Sequence, residues 1–307
     1  MSLDKKLTCE KHEIDRAVDN LSELHCVKIK NVLSKDVLID TATTAKEIFS
    51  TYGHLSKQEQ VDANIPYGVS QHMANITMLD ENPSKLQYLL IREIYQSHLW
   101  EIICKYLKSR DIISLLQISS LRFIDPDQPH LAIPFHQDGF GLPDEKDYML
   151  ISVWFLLEPN KAGKGTDVSC VEFLPANINH LLSTDMQTGK KSSYASSSTS
   201  KKELEKLYND GAEVWSPDIS IGDCFMFDSY NLHRTGSSLH CNHKRYSAEI
   251  RFLACTPETV YEIKARRKNN ILEMYYETDD VYKIITPTEI NWTDHRRSKF
   301  QTVQWEK

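Results

Sequence analysis

His136 and Asp138 stand one residue apart in Pro134-Phe135-His136-Gln137-Asp138-Gly139. Alternate residues of an extended chain point to the same side, so this spacing turns an imidazole and a carboxylate toward one face. A second imidazole, His233, follows far downstream, just after the apolar run Cys224-Phe225-Met226-Phe227. Two imidazoles and one carboxylate on one face of an octahedral metal leave the remaining positions open. That donor set suits non-haem iron(II), with room beside it for a co-substrate and oxygen. An H-x-D triplet alone arises by chance in a chain with 12 histidines, and what gives it weight is its place at a strand end and the basic strand downstream.

That strand, Arg245-Tyr246-Ser247-Ala248-Glu249-Ile250-Arg251-Phe252, opens on a guanidinium that points inward beside the metal. A guanidinium grips a carboxylate through two parallel hydrogen bonds, and the hydroxyls of Thr235 and Ser247 complete the anion site. Arg234, next to His233, and Arg251, on the same face as Arg245, compete for this role. Arg251 is expected to lie further from a metal held at the strand mouth.

Other groupings are weaker. His130 and His180 read as structural or surface histidines, since three ligands already complete a triad. His240-Cys241-Asn242-His243-Lys244 reads as a polar loop, because no further Cys or His stands at zinc spacing. Asp144, Glu145 and Asp147 form an acidic loop in which nothing would separate two carboxyl pKa values, as a paired-carboxylate hydrolase requires. Arg122 and the run Arg266-Arg267-Lys268 offer charge to an anionic substrate, yet a charge run is ordinarily a solvated face. Nucleophile elbow, P-loop and dinucleotide fingerprint are missing from the sequence.

The elements that must position these residues change character along the chain. Residues 1–114 read as mainly helical. One helix spans about 35–50 and another 85–108, where Leu86, Leu89, Leu90, Ile94, Leu99, Ile102, Ile103 and Leu107 recur at three- and four-residue steps. From residue 115 short apolar runs bounded by Pro, Gly, Asn and Asp take over. Strands are expected near 115–124, 133–136, 148–157, 168–174, 219–227 and 245–254. Both faces of 148–157 are apolar, so that strand belongs inside a two-sheet stack. The set fits an all-β core, a double-stranded β-helix or jelly roll of the cupin type, over 115–255. Helical additions on either side make the whole α+β. The Ser/Lys-rich stretch KKSSYASSSTSKK (190–202) reads as a loop unable to bury apolar surface, a solvated insertion or a lid. Residues 256–307 form a charged extension with the helix-like segment EIKARRKNNILEMYYETDD.

At 307 residues, one catalytic domain accommodates all of this. With 43 acidic against 36 basic residues the net charge is −7, which repels phosphate backbones and argues against nucleic acid as partner. Seven scattered cysteines without a C-x-x-C pair read as buried thiols of a reducing compartment. The polar amino terminus and the lack of an 18-residue apolar run predict a soluble, cytoplasmic protein with no membrane association, acting as a monomer or homodimer.

Taken in order, H-Q-D-G, V-W-F-L-L-E-P, E-F-L-P, G-D-C-F-M-F-D, L-H-R-T and R-Y-S-A-E resemble the phytanoyl-CoA dioxygenase superfamily over about residues 115–255. The resemblance implies an iron(II)- and 2-oxoglutarate-dependent oxygenase using O2, with iron ligated by His136, Asp138 and His233. It assigns the C5 carboxylate of 2-oxoglutarate to Arg245, with Thr235 as partner and Trp154 as pocket wall. Ser152 and Gln117 are further candidates. Halogenating relatives carry Gly or Ala in place of the carboxylate, so Asp138 implies hydroxylation, desaturation or ring closure of a small molecule. One departure is local: where relatives commonly have a P-G-S-H turn after E-F-L-P, this chain reads Ala176-Asn177-Ile178-Asn179-His180. Two rival classes are a non-redox metal-binding jelly roll or lapsed family member, and a cupin-like isomerase or hydrolase; neither needs the full set of ligands plus Arg245. A specialised or amino-acid-like metabolite is the expected substrate, and the family name does not imply an acyl-CoA.

Overall fold

The computed structural model describes residues 2–62, 69–81, 86–110, 112–114, 119–128, 132–138, 150–184, 198–236, 241–254 and 283–285. The helices are α1 (Leu3–Leu7), α2 (Ile14–Leu24), α3 (Lys35–Tyr52), α4 (Lys57–Asp62), α5 (Leu86–Gln96), α6 (His98–Leu107) and α7 (Lys201–Asn209). The strands are β1 (Thr8–Glu10), β2 (Cys26–Lys30), β3 (Met73–Asn75), β4 (Ile112–Ser114), β5 (Ser120–Ile124), β6 (Leu150–Glu158), β7 (Lys161–Gly163), β8 (Val171–Leu174), β9 (Asp218–Ser220), β10 (Cys224–Asp228), β11 (Leu232–Thr235), β12 (Arg245–Ala254) and β13 (Lys283–Ile285).

The fold is α+β, built on a nine-stranded mixed sheet that runs β1-β2-β10-β6-β12 and then divides, β12 pairing with both β4 and β5. Among the described strands of this sheet, only β1 and β2 run parallel. As its apolar faces require, β6 is central, flanked by β10 and β12, and its residues Leu150 to Leu157 are all buried. Alternation sorts the side chains. Ile151, Val153 and Phe155 of β6, Cys224 and Met226 of β10, and Ala248, Ile250 and Phe252 of β12 pack against the helices. From α3 that layer receives Leu38, Ala42, Ala45, Ile48 and Phe49, one stripe at helical spacing. On the other face Trp154, Leu156, Phe225 and Phe227 meet Phe173 of β8. The ring of Phe173 lies 5.1 Å from Phe225 and 5.6 Å from Phe227, so the small β8–β11 sheet closes over the large one. Each such fully buried ring contributes on the order of 2 to 3 kcal/mol.

Several expectations need correction. The sheet starts at Thr8, well before residue 115, because β1 and β2 from the helical third extend it beyond β10. The expected strand at 115–124 is two strands, β4 and β5, with 115–118 outside the described residues. Residues 133–136 form no strand, and only His136 makes bridge contacts, to His233 and Ser198. Strand 219–227 divides into β9 and β10 around Gly222, whose φ of 98° turns the chain. The 85–108 helix breaks at Ser97, whose hydroxyl caps α6 by accepting from the Leu99 N–H at 3.2 Å. In the Ser/Lys-rich stretch, 190–197 lie outside the described residues, but its end is built in: Thr199 N–H donates to Phe135 O at 2.8 Å, and Ser200 caps α7. Residues 262–280 lie outside the description, and β13 beyond them pairs with β4.

Gly163, which ends β7, tests the packing of this edge. Its φ is 95°, and an added Cβ would meet Pro217 O at 2.1 Å. Gly163→Ala should therefore lower stability by roughly 2 to 4 kcal/mol, combining left-handed strain with a backbone clash. Chemical denaturation checks this, and an unchanged midpoint contradicts the local geometry.

Candidate metal centre

Strand β12 carries charge on the face turned away from the helices. Arg245, Ser247, Glu249 and Arg251 alternate with the core residues Ala248, Ile250 and Phe252. Opposite them in register, Glu249 faces Trp154 and Arg251 faces Ser152. Above this face lie His136 and His233, paired through two backbone hydrogen bonds: His136 N–H to His233 O at 3.0 Å and the reverse at 3.1 Å.

The backbone pair brings the imidazole centroids to 4.2 Å. Nδ1 of His136 lies 2.9 Å from Pro134 O, and Nδ1 of His233 lies 3.4 Å from Asn231 O. A carbonyl only accepts, so each Nδ1 carries the proton and each Nε2 presents a lone pair. Both lone pairs face one oxygen, Oδ1 of Asp138, at 3.7 and 3.9 Å. The other carboxylate oxygen is occupied, Arg251 Nη2 donating to Oδ2 at 2.9 Å and Ser152 Oγ at 3.3 Å.

Ligand atoms of the three residues all lie within 4.8 Å of one another, and among the described residues no other three His, Cys, Asp or Glu converge so. Three electron-rich acceptors in one largely buried place repel one another unless a cation lies between them. Protonation states agree with that use. Burial, aided by neighbouring His233, pushes His136 down to about 4, and burial lowers His233 also. Burial alone would raise Asp138, but the Arg251 guanidinium and the two imidazoles outweigh it and hold the carboxyl well below the usual range. At neutral pH the trio is two neutral imidazoles and a carboxylate, which is the state a divalent metal needs.

Arg251 thus sits against the trio and not away from it, contrary to the sequence expectation. The cause is register: Asp138 reaches the sheet at the Ser152–Arg251 row, toward the far end of β12. Arg251 is further held by Glu249, Nη2 to Oε1 at 2.9 Å. Burial raises the Glu249 carboxyl despite that contact. Arg245 occupies the opposite end of the strand. It is 2 % exposed, donates from Nη1 to Ser169 O at 2.9 Å, and lies over the Trp154 ring at 5.3 Å. Burial lowers its pKa to about 10, so it stays cationic at neutral pH. Among the described residues no carboxylate pairs with it, and its Nε and the neighbouring Ser247 Oγ are buried without partners.

A cavity beside the histidines is lined by Trp154, Thr235, Arg122, Glu249 and Arg251. Thr235 Oγ1 accepts from the Ile133 N–H at 3.2 Å. Ser152 Oγ is directed at Asp138 Oδ2, 3.3 Å away. Gln117, His130, His240 and the acidic loop 144–147 lie outside the described residues. His180 is exposed with Nδ1 near Asn179, and His243 pairs with Asp167 at 2.7 Å, so neither joins the trio. Arg234 is taken by Glu172 at 2.7 Å and lies over Phe135. Glu249 was missed from sequence, although a carboxylate between two arginines on one face of a buried strand was its signal.

No family model matches this chain, and no curated protein matches it in sequence. Solved structures do. SnoN, a non-heme alpha ketoglutarate dependent epimerase from nogalamycin biosynthesis, is 14% identical with a TM-score of 0.52, over 79% of this chain and 84% of its own. EctD from S. alaskensis, solved with 2-oxoglutarate and 5-hydroxyectoine, is 13% identical with a TM-score of 0.53, over 78% and 75%; it has also been solved with bound Fe. EvdO2 from Micromonospora carbonacea var. aurantiaca gives 13% and 0.53, over 78% and 90%. This chain has their fold. The α+β class is the one expected from the sequence, and at such identities the chemistry must be argued from the site. The residues fit the groups named for these neighbours: the trio is a nitrogen/oxygen set suited to iron(II), and Arg245, buried with its Nε and the Ser247 Oγ unsatisfied, suits a carboxylate.

Proposed function

We propose that this chain is an Fe(II)- and 2-oxoglutarate-dependent oxygenase that oxidises a C–H bond of a small-molecule metabolite. The observation that carries the reading is the convergence of two Nε2 lone pairs and Asp138 Oδ1 on one place. In this reading residues 1–307 are one domain, and the large sheet and the β8–β11 pair are the two walls of a double-stranded β-helix.

His136, Asp138 and His233 would hold iron. Arg245 would hold the distal carboxylate of 2-oxoglutarate, supported by Ser247 and Thr235, with Trp154 as the wall between. Iron, 2-oxoglutarate and O2, when bound there, would supply an oxidant able to break a C–H bond, with succinate and CO2 released. The protein's own residues orient and shield. Arg251 and Ser152 fix which oxygen of Asp138 turns to the histidines, and Trp154, Phe227 and Val171 keep bulk water from the cavity. Hydroxylation, desaturation and oxidative ring closure all begin with that C–H bond, and the retained carboxylate favours these over halogenation. Among the described residues no helix is long and apolar enough to cross a membrane. The proposed enzyme is cytoplasmic and acts on a diffusible substrate as a monomer or homodimer.

Purified chain incubated aerobically with Fe(II), ascorbate and 2-oxoglutarate is expected to release succinate, slowly without substrate and faster with a matching metabolite. Release must depend on iron. Metal binding without any iron-dependent loss of 2-oxoglutarate would favour the non-redox reading instead.

A further inference from the structure

Two of the three ligands are located by the backbone and the third is not. His136 and His233 are locked by their reciprocal hydrogen bonds, but Asp138 lies one step beyond that pair. Between them stands Gln137, whose side chain turns away from the trio toward Tyr230, His180 and Leu182. It is 6 % exposed and uses its amide at both ends. Nε2 donates to Tyr230 O at 2.8 Å and to His180 O at 3.2 Å, and Oε1 accepts from the Leu182 N–H at 2.7 Å.

The Tyr230 anchor is itself fixed. Asp228 Oδ1 accepts from the Tyr230 and Asn231 N–H groups at 2.8 and 3.2 Å, while its Oδ2 meets His25 Nδ1 at 2.7 Å and the Tyr106 hydroxyl. This turn leads directly into β11 and His233. A single amide therefore ties the chain leaving His136 to the turn entering His233.

We propose that Gln137 is a positioning residue that sets the Asp138 carboxylate against the two imidazoles, and so sets metal affinity and coordination. The inference rests on the reading that the trio holds a divalent metal. Gln137→Met keeps the length and removes all three hydrogen bonds. Gln137→Glu keeps an acceptor for Leu182 but sets a carboxylate against the carbonyls of Tyr230 and His180. The test titrates Co(II) into metal-free parent and variants, recording visible d–d bands, with thermal melting of each metal-free chain alongside. Both variants are expected to bind Co(II) roughly 10- to 100-fold more weakly, the range for outer-shell partners of a metal site, with spectra shifted toward that of Asp138→Ala. Should Gln137→Met not fold, Gln137→Glu carries the comparison. Lower melting with parent affinity and spectrum would reduce Gln137 to a structural role and overturn the proposal. A parent that binds no Co(II) would overturn the metal reading, and this inference with it.

Discussion

Replacing Asp138 by alanine should abolish iron-dependent turnover of 2-oxoglutarate, and His136→Ala and His233→Ala should do the same. Loss of an outer-shell partner costs roughly 10- to 100-fold in metal affinity, so loss of a ligand should exceed a hundredfold. The three variants are not equivalent otherwise. Asp138→Ala also removes an acceptor from Arg251 and Ser152, leaving Arg251 against Glu249 alone of its two carboxylate contacts. Either histidine variant spares that arrangement. Metal titration and succinate release check both consequences, and variants that all turn over 2-oxoglutarate at the parent rate would place the chemistry elsewhere.

Arg245→Ala is expected to weaken 2-oxoglutarate binding by about 30- to 1000-fold while leaving iron affinity nearly unchanged. A bidentate arginine–carboxylate contact in a partly dry pocket contributes roughly 2 to 4 kcal/mol, and about 1.4 kcal/mol corresponds to each factor of ten. Arg245→Lys should rescue poorly, because an ammonium keeps the charge but loses the fork. Arg251→Ala makes the informative control. Since its guanidinium holds Asp138 at 2.9 Å, its loss should lower metal affinity first and 2-oxoglutarate binding only as a consequence. The reverse pattern, with Arg251→Ala abolishing 2-oxoglutarate binding in iron-loaded protein and Arg245→Ala sparing it, would move the anchor six residues along the strand.

The trio was legible from short-range signals, the one-residue gap of H-x-D and a histidine soon after an apolar run, although His136 and Asp138 lie outside any strand and His233 lies within β11. Strand β12 was legible for the same reason, and its predicted bounds of 245–254 coincide with Arg245–Ala254. What escaped depends on long-range register. Whether Arg245 or Arg251 lies nearer the metal is decided by Arg251 facing Ser152 across β6, a pairing between segments a hundred residues apart in sequence, to which periodicity is blind. The early strands escaped for a different reason. Cys26–Lys30 is buried along most of its length, and Lys28 extends its stem through the core layer to reach Asp218 at 3.2 Å, so neither alternation nor polarity marks the segment as a sheet strand. The break at Ser97 was hidden because a serine is tolerated inside a helix as well as at its cap. Gln137 could not be singled out at all, since its partners are backbone carbonyls and an N–H brought to it by the fold.

The most direct test of the account is an anaerobic titration of 2-oxoglutarate into the iron(II)-loaded chain, followed in the visible spectrum. A chelate of the co-substrate at a two-histidine, one-carboxylate iron site should give a weak charge-transfer band that saturates with 2-oxoglutarate, requires iron, and is lost in Asp138→Ala. In Arg245→Ala the same band should appear only at far higher 2-oxoglutarate. Iron-loaded parent that shows no band at saturating 2-oxoglutarate would contradict the oxygenase assignment.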